Sequence, residues 1–110
     1  MDLYSDLQTQ IDLLQKSLES LKRTGKEYAD SEKQYKVKLR QEVLKLRNEG
    51  EAIGVITLIC YGIPEVAELR FKRDVAEALY KANQEAINTY KLKIRIIENQ
   101  LQREWSNTNG

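Results

Sequence analysis

The side chains that most proteins use for proton transfer and metal binding near neutral pH are scarce in this chain, which has no histidine and a single cysteine, Cys60. Imidazole is the usual general base and the commonest transition-metal ligand, so both kinds of chemistry lose their first candidate. Cys60 sits in the apolar stretch IGVITLICYGI, where burial favours the neutral thiol and a structural role. A lone cysteine also excludes an intrachain disulfide. Serine nucleophiles find no base to activate them. Glu42, Glu49 and Glu51 lie close together, but among lysines and arginines at helical spacing they read as solvated or ion-paired groups. Gly50, Gly54 and Gly62 are scattered, with no GlyLysSer or GlyLysThr after them to make a phosphate loop. The chain is therefore expected not to be an enzyme, and to use no cofactor, metal or small-molecule substrate.

The cations offer a second kind of chemistry. Lys33, Lys36, Arg40 and Arg47 fall within one helical face, with Lys22 and Lys26 on its upstream extension. Arg70, Lys72 and Arg73 cluster after Pro64, and Lys91 and Arg95 follow later. Interleaved basic side chains can track nucleic-acid phosphates without reading bases. Lys33, Lys36, Arg40, Arg47, Arg70, Lys72 and Arg73 are accordingly the candidate nucleic-acid contacts, against the plain alternative of a solvated helix surface. A formal net charge of only +1 gives little long-range attraction to nucleic acid. Residues 51–73 can also be laid out as helix, turn and helix, in outline a DNA-binding motif. Glu65 and Glu68, however, occupy the end of the second helix that would have to meet phosphate. A structural turn accounts better for the pattern.

These side chains must be carried by long helices. Only one proline is present, and Glu, Lys, Leu, Gln, Arg and Ala dominate, residues that keep most of their rotamer freedom in a helix. Leu7, Ile11, Leu14, Leu18 and Leu21 step by four and three, the seam of a helix that packs on another helix. Tyr28, Tyr35, Leu39 and Leu46 keep the same phase beyond Gly25. One helix over about 2–48, bent or straight at Gly25, is favoured over a break there with Thr24 and Glu27 as a capping box. Asp2 is its candidate N-cap, and Gly50 suits a left-handed C-terminal turn. A short buried apolar helix is expected over about 51–61. Pro64 then opens a helix to about 105, with 106–110 as a frayed tail.

On that last helix the seam is Leu69, Ala76, Tyr80, Ile87, Tyr90, Ile94, Ile97 and Leu101, interrupted by Arg73 and Asn83. A polar residue on such a seam often sets register. The tyrosines read as packing residues with their hydroxyls at the rim. The fold class is all-α: a single domain formed by a long antiparallel, coiled-coil-like hairpin with the apolar helix at its turn. Leu3, Leu13, Val37, Val43, Leu44, Val66, Phe71, Val75, Leu79, Leu92 and Ile96 lie off the main seams. Two helices cannot cover both sets. Self-association into a helical bundle follows, with a dimer as the first expectation and a larger ring as the alternative.

The segment PEVAELRFKRDVAEALYKANQEAINTYKLKIRIIENQLQREW, and upstream YADSEKQYKVKLRQEVLKLRNEG, resemble a group of small helical proteins encoded by phages and prophages of Gram-positive bacteria. Together they span residues 28–105. The resemblance implies a phage or prophage origin and a place among genes of phage DNA replication or recombination. It rests on no functional motif and carries over no functional residue.

Two functions are open at this level. One is a non-catalytic oligomeric scaffold or adaptor acting on a further protein. The other is a DNA-binding accessory factor using the basic faces. The start MDLYSDLQTQ lacks the basic and apolar regions of a signal peptide. The longest apolar stretch is too short to span a bilayer. A cytoplasmic location without a membrane role is expected, in the host cell if the gene is a phage's.

Overall fold

The computed structural model describes residues 2–109 and contains, among them, three helices and no strand: α1 over Leu3–Asn48, α2 over Ile53–Gly62 and α3 over Pro64–Asn109. The fold is a long antiparallel helical hairpin with the short apolar helix at its turn. Asp2 caps α1, its Oδ1 accepting the Tyr4 N–H at 3.1 Å. This satisfies one of the amides that the first turn leaves unpaired. α1 then runs through Gly25 without a break. It stops at a glycine-dependent turn. Gly50 takes φ +86°, its N–H bonds the Arg47 carbonyl, and the Glu51 N–H reaches back to that of Leu46, each at 3.1 Å. A side chain at Gly50 would be strained in this left-handed conformation.

The chain forms two compact units, one made of residues up to Arg23 and from Lys81 on, the other of Thr24–Tyr80. In the Thr24–Tyr80 unit the Arg73 guanidinium lies over the Tyr35 ring at 4.7 Å, and Tyr80 packs on Tyr28 with ring centroids 5.9 Å apart. Numbers on α3 rise as those on α1 fall, so the helices are antiparallel. Ile56 and Cys60 of α2 and Val66 of α3 are buried here, together with Thr24 and Tyr35. In the other unit Asn83 donates from Nδ2 to the Ser17 carbonyl at 2.9 Å, and Ile87 is buried. Asn83 thus interrupts the apolar row to make a bond across the hairpin. That bond holds only in one register.

Burial along α1 corrects the expected seam at two of its nine positions. Leu7, Leu14, Leu21, Tyr28, Tyr35, Leu39 and Leu46 do turn inward. Ile11 and Leu18, however, are 39% and 47% exposed. Gln10, Ser17, Thr24, Ser31 and Lys38 alternate with the inward row instead. Crowded and polar positions on α3 stand opposite this row: Asn83 bonds the Ser17 carbonyl, and a Cβ added at Gly25 would stand 3.1 Å from the Tyr80 ring.

On α3 the expected seam faces inward from Leu69 to Leu101, Ile87, Ile94 and Ile97 included. Val66, placed off the seam by sequence, is completely buried. It lies three residues before Leu69 and extends the same row. The tail expected to fray is helical to Asn109. No proline intervenes, and Thr108 bonds its Oγ1 to the Glu104 carbonyl at 2.9 Å. Gly110 lies outside the described residues.

Candidate interaction surfaces

The charged side chains of the described residues make several ion pairs. Lys38, on the inner side of α1, donates to Glu65 of α3 at 2.7 Å and to Glu42 at 3.1 Å. These two bonds hold the Lys38 ammonium above its ordinary pKa, and the same lysine holds the Glu65 carboxyl below its own. Helical spacing led to the expectation of a solvated or ion-paired Glu42, and Lys38 is that partner; nothing in the sequence pattern links Glu65 to Lys38. Cys60 is buried, and desolvation first, with the charge of Glu42 second, pushes its thiol up. Among the described residues no group of three or more His, Cys, Asp or Glu side chains could hold a metal ion. A shallow groove of about 510 Å³ lies between Ser5–Gln10 and Lys93–Ile97. The Gln10 Oε1 is buried there without a hydrogen-bond partner.

The seven candidate cations divide into two groups. Arg73 is inside the hairpin, over Tyr35 and tied to Asp74 by Nε at 3.0 Å and Nη2 at 2.8 Å. The Asp74 bonds hold its guanidinium in the charged form. Arg70 lies over the Tyr61 ring at 5.1 Å, pinning α2 to α3. Lys36 pairs with Glu32 one turn away at 3.4 Å. Lys33, Arg40, Arg47 and Lys72 are exposed. Lys33, Arg40 and Arg47 continue upstream to Lys26 at steps of seven, a single row on the outer side of α1 about 10 Å from one cation to the next.

Apolar exposure is the larger feature. Among the described residues sixteen large hydrophobic side chains are exposed, against five in the buried apolar core. Ten of the sixteen belong to the Thr24–Tyr80 unit. Phe71, Val75 and Leu79 form one i, i+4 row on α3, and Val37 and Leu44 stand seven apart on α1. The expectation of a buried α2 is overturned. Only Ile56 and Cys60 of that helix are buried, while Ile53 is 79% and Leu58 75% exposed, and Val55, Ile59 and Tyr61 are exposed as well. The reason is geometric. A ten-residue helix laid on the end of a two-helix pair can bury one i, i+4 edge, and α2 is apolar all round.

No helix of the described residues is long and apolar enough to cross a membrane. No protein-family model matches the chain, and no curated protein or solved structure matches it either.

Proposed function

We propose that the chain is a non-catalytic scaffold or adaptor, of phage or prophage origin, that works as an oligomer of helical hairpins and presents the assembled surface to a further protein. The observation that carries this reading is the imbalance, among the described residues, between sixteen exposed large apolar side chains and five buried ones. Exposed apolar patches beyond a few hundred Å² mark interaction surfaces in soluble proteins. Sedimentation equilibrium at micromolar concentration tests it: the mass should be a multiple of 12.8 kDa. A clean monomer would end the oligomer reading.

One observation favours DNA as the alternative partner, namely the exposed row Lys26, Lys33, Arg40 and Arg47. Against it, Lys36, Arg70 and Arg73 are already engaged within the chain. A fluorescent oligonucleotide titrated at low salt decides. Binding that falls steeply with added salt, and that the triple change Lys33→Ala, Arg40→Ala and Arg47→Ala abolishes, supports DNA. No binding at low salt removes it.

A further inference from the structure

The geometry points to α2 as the self-association surface: we propose that its exposed face seats against α2 of a second copy across a two-fold axis. The proposal rests on the oligomer reading above and names the contact. Residues 52–64 contain no charged side chain, and Ile53, Val55, Leu58, Ile59 and Tyr61 stand exposed among them. In a two-fold contact each surface meets its own copy, so every charge near the axis faces its like. The outer row of α1 therefore repels itself through Lys26, Lys33, Arg40 and Arg47. α2 carries nothing to repel. It is the stretch of this chain whose self-apposition has no electrostatic cost.

The area sets the strength of the contact. The five exposed side chains present roughly 500 Å² in all and lie around α2 rather than on one plane, so a two-fold contact buries part of it, centred on Leu58 opposite the buried Ile56–Cys60 edge, the size of a weak, transient interface. The face is held firmly enough to dock as a unit. Cys60 and Ile56 anchor it from below, and Arg70 clamps Tyr61 at its edge. The residues that flank α2 in sequence mix signs, with Glu49, Glu51 and Glu68 beside Arg47 and Lys72. That balance offers an anionic lipid surface no net attraction, while it lets acids of one copy meet bases of the other.

Two variants test this in the full chain. Leu58 is largely exposed, so Leu58→Asp should leave the helical circular dichroism unchanged while lowering the sedimentation mass by at least half. Leu58→Cys places a thiol near the axis, and mild oxidation should give a disulfide-linked dimer that the parent, with its buried Cys60, does not form. If the parent is a monomer, the oligomer reading and this proposal fail together. If it assembles, yet Leu58→Asp assembles equally and Leu58→Cys does not cross-link, this proposal alone fails and the outer faces of α1 and α3 make the contact. A monomer that cosediments with phosphatidylserine vesicles, and loses that binding in Leu58→Asp, would assign the face to lipid and overturn the proposal.

Discussion

Gly25→Ala should change sign with the residue across the hairpin. In the middle of a helix, glycine costs about 1 kcal/mol relative to alanine through backbone entropy, and Gly25 lies in the interior of the 46-residue α1. Local propensity alone would make the substitution stabilising by that amount. The new Cβ, however, would stand 3.1 Å from Tyr80 Cε1 and 3.7 Å from Cδ1 and Cζ. Carbon atoms pack best at about 3.5–4 Å, so the ring must retreat by a few tenths of an ångström. It cannot do so freely, because its other neighbour on α1 is the Tyr28 ring, 5.9 Å away between centroids. Overpacking of this kind costs roughly 1–3 kcal/mol. Gly25→Ala should therefore destabilise the parent by about 1 kcal/mol net, the crowding outweighing the propensity. In a Tyr80→Ala background the crowding disappears, and the same change should stabilise by about 1 kcal/mol. Urea unfolding followed by circular dichroism at one fixed protein concentration gives all four corners of the cycle. If Gly25→Ala stabilises both backgrounds equally, Tyr80 is not what holds position 25 to glycine.

Other outcomes follow from the same packing. Val66→Ala removes two methyl groups from a completely buried position and should cost about 2 kcal/mol, read as a lower urea midpoint, whereas Leu79→Ala, on the exposed row of α3, should cost less than about 0.5 kcal/mol in the dissociated protein. The Lys38 bridge makes stability depend on pH at both ends. The depressed Glu65 carboxyl contributes above its unfolded value near 4.3 and loses that contribution as pH falls through the folded value. The raised Lys38 ammonium contributes below its unfolded value near 10.4 and loses it as pH rises through the folded one. Melting temperatures of Lys38→Met should be flatter than the parent's in both windows; parallel curves would remove the bridge from the account. Cys60, buried and with its thiol pushed up, should react with Ellman's reagent only as fast as the chain unfolds, and rapid labelling of the native protein would show that α2 does not stay docked.

Much of the architecture was legible because its signals are local and periodic. Gly50 and Pro64 fix where α1 ends and α3 begins, and the heptad phase survives Gly25 because α1 is continuous there. The inner row of α1 was misread at Ile11 and Leu18 for a different reason. Position 10 or 11, and 17 or 18, can each follow the same leucine on a helix, and hydrophobicity chooses the isoleucine and leucine. The structure chooses by what stands opposite on α3, residues more than sixty positions away, such as Asn83 bonded to the Ser17 carbonyl. Val66, read as lying off the seam, extends the Leu69 row by one helical step and is completely buried. α2 itself was expected to be buried because it is apolar, and apolar composition does not say whether enough partner surface exists. Of the cations, sequence could place Lys33, Arg40 and Arg47 on one face but could not show that Arg73 lies over Tyr35.

The central claim is that these hairpins bury their surplus apolar faces in one another, so that assembly contributes to folding stability. The most direct measurement is the melting temperature of the parent protein, followed by circular dichroism over a hundredfold range of concentration. The claim predicts a midpoint that rises steadily with concentration, because association favours the folded state by mass action. A midpoint that stays constant across that range would contradict it.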